Sequence, residues 1–274
     1  MKQFKTILVE KNDGITTVTF NRPDKRNAMN PQMHEDMYEV LGDLEFDDDT
    51  KVLVLTGKGE AFCAGQDLKE YFFEQKDNAR AREESRRLSH AWRHQKLYYF
   101  PKPTIAMING YCFGGAFTTV ASCDIAIAAD EATFGLSEVN FGHLAGGIVS
   151  KVVADLLLPR QALFYLMTGE PFDGKRSAEI GLTTLSVPRK DLRARTMALA
   201  ETLKAKNPHG LRACKEAVKS VAIRNMSFED SWHWLTARSE QLRLAQKDKN
   251  WIDHGIGKFV DKAYRPGREA APQD

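Results

Sequence analysis

Alternation of strand and helix followed by a purely helical tail predicts a mixed α/β fold for this chain. β-branched runs recur at KTILVE (5–10), ITTVTF (15–20) and KVLVLT (51–56), and stretches with apolar residues at helical spacing lie between later strands. From Asp191 onward, three long amphipathic patterns follow one another with no strand signal. Strands interleaved with helices, and further helices segregated at one end, describe an α/β core carrying a helical appendage.

Asn12-Asp13-Gly14 joins the first two runs as a hairpin, and Asn21-Arg22-Pro23-Asp24 breaks the second. Pro31 opens a helix over 31–45 in which Met33, Met37, Val40, Leu41 and Leu44 share one face. The nearly continuous apolar run at 51–56 suits a strand covered on both faces, and Gly57-Lys58-Gly59 ends it. A charged helix over 79–97, a strand over 104–108 and the turn Asn109-Gly110 come next. A helix starting near Gly115 runs to Ser122, before a strand over 125–129. Helices are predicted over 148–158, 160–168 and 176–181, then a last short strand over 182–187. The tail reads as helices over 191–206, 208–223 and 227–246. The expected division is a core over 1–200 and a helical region over 201–274.

Composition excludes several function classes. Thirty-nine Lys and Arg against 37 Asp and Glu leave a formal charge of +2, so nothing recruits nucleic acid or an acidic membrane surface globally. An anionic ligand must then be met by a local cluster of cations. Arg80, Arg82, Arg86, Arg87, Arg93 and Lys96 form a cationic stretch, but Glu83 and Glu84 interrupt it. Pairing at i,i+3 and i,i+4 makes this a solvated helix rather than an RNA-binding face. Cys63, Cys112, Cys123 and Cys214 are scattered, without metal-ligand or disulfide spacing, which fits a reducing cytoplasm and no metal site. The N-terminus lacks the apolar core of a signal peptide, and no apolar run nears the ~20 residues of a membrane span. A cytoplasmic protein is expected.

Two glycine-bearing turns follow two apolar strands: Ala61-Phe62-Cys63-Ala64-Gly65-Gln66-Asp67-Leu68 and Asn109-Gly110-Tyr111-Cys112-Phe113-Gly114-Gly115-Ala116. Glycines there allow a sharp turn and close approach of backbone to a ligand. Gly115 at a helix start offers free N–H groups. Either turn alone is an ordinary strand-to-helix connection. Together with Phe134-Gly135-Leu136-Ser137-Glu138, the pair resembles the crotonase (enoyl-CoA hydratase) superfamily. The likeness runs from Asn21–Met29 through Thr168-Gly169 and Ala178-Glu179-Ile180-Gly181-Leu182 into the tail.

The resemblance implies a crotonase-type spiral of ββα units with a helical C-terminal region, assembled as a homotrimer or a dimer of trimers. It implies an acyl-CoA thioester substrate, coenzyme A entering as part of that substrate, and no permanently bound cofactor. The backbone N–H groups of Gln66 and Gly115 match the superfamily's oxyanion hole, where each donor is typically worth about 2.7–4 kcal/mol of transition-state stabilisation. Glu138 matches one of the two catalytic glutamates of enoyl-CoA hydratases. The other falls on Thr118, which cannot act as a base at pH 7, and this argues against a standard fatty-acid hydratase.

Ala64-Gly65-Gln66-Asp67-Leu68-Lys69-Glu70-Tyr71-Phe72, Gly110–Gly115 and Ala129–Glu138 are similar to the hydroxycinnamoyl-CoA hydratase-lyases, which also carry a small hydroxyl residue in place of the first glutamate. These hydrate a phenylpropenoyl-CoA and cleave the product to an aromatic aldehyde and acetyl-CoA. By that resemblance Tyr71 lines an aryl pocket, and a second phenol-binding tyrosine falls on Trp234, whose indole donates but cannot accept. Lys25 and Arg26 are expected at the coenzyme A phosphates, with Ala28, Ala64 and Leu68 along the adenine and pantetheine path. Phe117, Ser137 and Phe141 fall nearer the acyl group. Lys258, Phe259 and Lys262 are candidates to close the site, and His143 is a lone histidine near the acyl pocket. Two alternatives stay open: a hydratase or isomerase of another acyl-CoA, and a non-catalytic CoA- or RNA-binding protein of the same fold.

Overall fold

The computed structural model describes residues 2–222 and 226–245. They form two compact units, one ending at Lys204 and the other beginning at Ala205.

In the first unit, β1 (Ile7–Asn12) and β2 (Ile15–Phe20) make the expected hairpin, with Ile7 opposite Phe20 and Asn12 opposite Ile15. α1 (Pro31–Glu45) starts where Asn30 accepts a hydrogen bond from the Met33 amide, and it buries the five apolar residues that the spacing placed on one face. The remaining strands are β3 (Val52–Gly57), β4 (Ala61–Cys63), β5 (Thr104–Ile108), β6 (Tyr111–Phe113), β7 (Ile125–Ala129), β8 (Thr133–Gly135), β9 (Phe172–Asp173) and β10 (Leu185–Val187). They complete a six-stranded sheet in the order β1-β2-β3-β5-β7-β10 and a four-stranded sheet in the order β4-β6-β8-β9. Beyond the hairpin the large sheet is parallel. β3 is buried along its whole length, as a strand covered on both faces requires.

These orders state how the chain travels. β3 and β4, β5 and β6, and β7 and β8 are consecutive pairs, the first of each in the large sheet and the second in the small one. Helices separate the pairs: α2 (Ala79–His90) follows β4, α3 (Ala116–Ser122) follows β6, and α4 (Val149–Leu156) with α5 (Pro159–Thr168) follows β8. Each ββα turn adds one strand to each sheet, which makes a spiral. α6 (Gly174–Glu179) and α7 (Arg189–Lys204) close this unit, α7 packing on β2, β3, β5, β7 and β10. The second unit contains α8 (Pro208–Ala217), capped by Asn207 and continued by a wide turn over Val218–Ala222, and α9 (Phe228–Ala245).

Three features depart from the sequence expectation. The small sheet was not predicted, because its strands have two or three residues each and carry no period-two pattern. The strand expected over 182–187 shortens to Leu185–Val187, since the amides of Leu182 and Thr183 both donate to Ser177 O and stay in the turn that ends α6. The helix expected over 79–97 relaxes after His90 into a π-type turn over Ala91–Leu97, and a similar unpredicted turn spans Leu68–Phe73. No helix among the described residues is long and apolar enough to cross a membrane.

Gly110 sits where the chain passes from the large sheet to the small one. A Cβ there would lie 1.8 Å from the Glu60 carbonyl oxygen, a rigid backbone atom. Gly110→Ala is therefore expected to cost more than about 4 kcal/mol of stability, the range of severe backbone clashes. Urea denaturation of the purified variant measures it, and an unchanged midpoint would contradict this packing.

Candidate active site

Two segments distant in sequence are stitched edge to edge. The Ala64 amide donates to Arg26 O at 2.9 Å, the Met29 amide to Gly65 O at 2.8 Å, and the Asp67 amide to Met29 O at 2.9 Å. Arg22 secures the seam, donating to Asp67 at 2.9 Å and also to Glu70 and to Ala28 O. The Asp67 carboxylate caps the turn Leu68–Phe73 by accepting from the Lys69 and Glu70 amides. Burial pushes Asp67 up, but the Glu70 amide, Arg22 and the Lys69 amide outweigh it and hold the carboxyl below its ordinary 3.8. Lys25, Arg26, Ala28, Ala64, Gln66 and Leu68 are thus gathered along one seam.

The seam decides where the Gln66 amide points. Met29 and Gln66 form a parallel bridge whose two hydrogen bonds use the neighbours of Gln66. In that pattern Gln66 directs its own N–H to the opposite edge. There the chain leaving β6 passes close by: a Cβ on Gly65 would meet Phe113 O at 2.8 Å and Gly115 N at 3.2 Å, and Gly65 has φ +89°. Gly115 precedes the first turn of α3. Among the described residues, neither the Gln66 N–H nor the Gly115 N–H has an acceptor. Two adjacent unsatisfied amides can bind an oxyanion.

Glu138 approaches from the short 3₁₀ turn Ser137–Phe141. Its Oε1 would lie 2.8 Å from a Cβ placed on Gly114. Its Oε2 is buried without a hydrogen-bond partner among the described residues, as is the Thr118 hydroxyl one turn into α3. Each such unmade bond costs about 1–3 kcal/mol, so it marks a place where a ligand or reaction uses the group. Burial raises the Glu138 carboxyl above its ordinary 4.5, while its own backbone N–H and the charge of His143 act the other way. The His143 amide donates to Glu138 O at 3.1 Å, and its exposed ring faces Leu144 O. Ser137 is half-buried and Phe141 is exposed beside them. Phe117 was expected nearer the acyl group, yet its ring is buried edge-on against Phe134 and Phe172 in the core.

Behind the two amides lies a buried polar chain. The Trp92 indole N–H donates to His34 Nδ1 at 2.9 Å, and His34 Nε2 lies 2.9 Å from Gln66 Oε1. An indole only donates, so Nδ1 accepts and Nε2 carries the proton. Gln66 Nε2 then donates to Ser89 Oγ at 3.0 Å. Burial, and next the charge of Arg93, push the His34 pKa down to about 3, which keeps the ring neutral. Arg93 corrects an expectation: it was grouped with the solvated cations of its helix, and it is 6% exposed. Arg80, Arg86 and Arg87 do pair with Glu84 and Glu83 on the surface. Ser85, Ser89, Trp92, Arg93 and Leu97 are buried along one face at helical spacing, and that spacing was the available signal.

The enoyl-CoA hydratase/isomerase family profile matches residues 10–263. The chain is 46% identical over 270 residues to a hydroxycinnamoyl-CoA hydratase-lyase of Pseudomonas fluorescens, covering 98% of this chain and 97% of that one. Its fold superposes on an enoyl-CoA hydratase subunit of Geobacillus kaustophilus with a TM-score of 0.84 at 29% identity, over 95% and 97% of the two chains. An enoyl-CoA hydratase of Shewanella pealeana gives 0.80 at 27% identity, over 95% of each. The chain belongs to the enoyl-CoA hydratase/isomerase family.

It is accordingly an enzyme of the crotonase superfamily, whose members act on CoA thioesters. Other candidates fall unevenly around the site. Lys25 is exposed and makes no ion pair among the described residues. Arg26 is engaged by Glu60 at 2.9 Å and stacks on Tyr111. Tyr71 is buried against His34 and meets Ser89; burial raises its phenol above 10.0, against the charge of Arg93 and the Ser89 hydrogen bond. Trp234 lies on α9 in the second unit, lining a hollow with Arg212, Glu216, Ala237, Arg238 and Gln241. Lys258, Phe259 and Lys262 lie outside the described residues.

A methyl group at position 65 would intrude on the Gly115 amide and impose a left-handed φ on alanine. Gly65→Ala should therefore lower kcat/KM for a CoA thioester by at least about 10²-fold. Steady-state kinetics on the folded variant decide it, and near-normal turnover would remove these amides from the reaction.

Proposed function

We propose that this enzyme is a hydroxycinnamoyl-CoA hydratase-lyase, converting feruloyl-CoA or 4-coumaroyl-CoA to an aromatic aldehyde of the vanillin type and acetyl-CoA. The observation that carries the reading is Glu138, a desolvated carboxylate with a free oxygen beside Gly114, while Thr118 supplies a hydroxyl in place of a second carboxylate. The 46% identity to a hydroxycinnamoyl-CoA hydratase-lyase supports the substrate class.

In this reading the Gln66 and Gly115 amides hold the thioester oxygen. Glu138 takes a proton from water as the water oxygen bonds to the β-carbon, and the alkene electrons move onto the thioester as an enolate. The Glu138 carboxylic acid then protonates the α-carbon, giving the β-hydroxy thioester. In the second half Glu138 removes the β-hydroxyl proton, the bond between the α- and β-carbons breaks, and the aldehyde departs. The acetyl-CoA enolate left in the hole takes that proton back from Glu138. Stabilising the enolate in both halves lets one site serve addition and cleavage. An electron-rich aryl ring polarises the alkene, so a second strong base is less necessary.

Lys25 meets a coenzyme A phosphate, and Arg26 joins it on release from Glu60; Ala28, Ala64 and Leu68 follow the adenine and pantetheine. Tyr71 faces the ring, with Ser137 and Phe141 nearer the acyl chain. We also place the enzyme in the cytoplasm, without nucleic-acid or membrane partners, as a homotrimer or dimer of trimers with its trimerisation region in the helical tail. Exposed Phe228, Trp232 and Leu235 at helical spacing on α9 support that assembly.

Product analysis with feruloyl-CoA and 4-coumaroyl-CoA should find aldehyde and acetyl-CoA in equal amounts. A stable 3-hydroxyacyl-CoA with no aldehyde would refute cleavage, and a panel differing at ring positions 3 and 4 tests Trp234. Glu138→Gln should cut kcat by about 10²–10⁴-fold, the usual worth of a general acid–base, while retaining thioester binding. Because burial raises the Glu138 pKa and the active form is the carboxylate, the acid limb of kcat/KM should lie above pH 4.5. The same sign makes this carboxylate favour the fold below pH 4.5 and lose that contribution as pH rises through the raised value. Glu138→Gln should therefore melt higher than the native enzyme at pH 7.

A further inference from the structure

Arg93 is the most deeply buried cation near the site, and the mechanism above does not use it. Its guanidinium donates to Gly115 O at 2.9 Å through NH1, to Ser89 O at 3.0 Å through Nε, and to Ser89 Oγ through NH2. No carboxylate pairs with it among the described residues. The charged and titratable groups around it are Tyr71, Cys63, His34 and His94, none of them a carboxylate. Burying a guanidinium without a counter-ion costs several kcal/mol of desolvation unless hydrogen bonds and a compensating charge offset it. Here the bonds are present, and the permanent negative charge is not.

The contacts divide into two arms that meet the two candidate donor amides from behind. One arm fixes the Gly115 residue by its carbonyl, and a Cβ on Gly115 would come within 3.4 Å of NH1. The other arm runs through Ser89. Ser89 Oγ accepts from both Arg93 and Gln66 Nε2, which leaves its own proton for Tyr71. Gln66 is therefore clamped at both ends of its side-chain amide, by His34 and by Ser89. Helix α3 has seven residues, so its N-terminus offers at most the partial charge of a helix dipole. The guanidinium brings a full one. Burial presses its pKa down to about 10, and it remains protonated at neutral pH.

We propose that Arg93 is a positioning residue for the oxyanion hole, aligning the Gly115 and Gln66 amides and supplying the buried positive charge that the thioester enolate balances. This rests on the assignment of those two amides to the thioester oxygen. Arg93 itself does not touch the substrate. With no carboxylate paired to its fork among the described residues, the negative charge it faces across the two amides is the enolate that forms during the reaction.

The test separates alignment from simple packing. Feruloyl-CoA bound to the Glu138→Gln enzyme should absorb at longer wavelength than in solution, because hydrogen bonds at the thioester oxygen polarise the conjugated chain. Adding Arg93→Met should remove most of that red shift while binding stays within about threefold, as expected when only transition-state interactions are lost. In the otherwise native enzyme Arg93→Met should lower kcat by about 10²-fold, the cost of a misplaced catalytic geometry, with KM nearly unchanged. Arg93→Lys, which keeps the charge but loses the fork, should recover part of the shift and of kcat. Should Arg93→Met fail to fold, Arg93→Lys and Ser89→Ala carry the test, each expected to reduce the red shift. An unchanged red shift and kcat in the folded variants would overturn the proposal. A native enzyme that makes no aldehyde would overturn the substrate assignment instead, since the red shift reads Arg93 with any cinnamoyl-type thioester.

Discussion

Two backbone N–H groups kept without acceptors inside a folded protein cost about 1–3 kcal/mol each, and much of this structure serves to keep them that way. The Gln66 amide is turned outward because its neighbours Gly65 and Asp67 take both bonds of the bridge to Met29. The Gly115 amide nitrogen lies close by because β6 ends beside the chain leaving β4. The bridge depends on the 21–30 loop staying in place, and Arg22, bonded to Asp67, Glu70 and Ala28 O, holds it there. What looks like a surface ion-pair cluster is the frame of the candidate site.

The spiral supplies the rest of the geometry. Laying one strand in each sheet per turn brings β4, β6 and β8 side by side, so the segments that follow them converge although they are far apart in sequence. Gln66 follows β4, Gly115 follows β6 and Glu138 follows β8. Two amides and one acid thus arrive from three successive turns, each on a short connection that a rigid strand aims.

This explains which parts were legible in the sequence. Apart from the three-residue β10, the large-sheet strands are five- or six-residue β-branched or apolar runs with clear breakers, and α1 declares itself through Pro31 and the spacing of Met33 to Leu44. The small sheet escaped because three residues such as Ala61–Cys63 hold no periodicity; only the neighbouring glycines betrayed them. Glu138, Gln66 and Gly115 were reached through motif resemblance, and composition alone gave them no distinction. Arg93 departs from its sequence expectation for a physical reason. Arginine in a helix of Arg and Glu is normally solvated, and only the line of Ser85, Ser89 and Leu97 shows that this one faces inward. His34 and Trp92 carry no signal of their own in the sequence, because a tautomer lock depends on partners from separate elements.

The charges suggest how a dry site tolerates an enolate. In the proposed mechanism the reaction starts from a Glu138 carboxylate, with the protonated Arg93 guanidinium buried near the site. As Glu138 takes the proton from water in that mechanism, the negative charge moves onto the thioester oxygen. The buried total stays constant, so the site has to accommodate a displacement of charge rather than the creation of one. Preorganised groups are suited to this, because they need no reorganisation at the moment of reaction. The raised pKa of Glu138 works in the same direction, since a carboxylate kept partly out of water gives up less when it is neutralised. On this view the lone carboxylate is sufficient because a fixed cation already stands behind the oxygen that receives its charge.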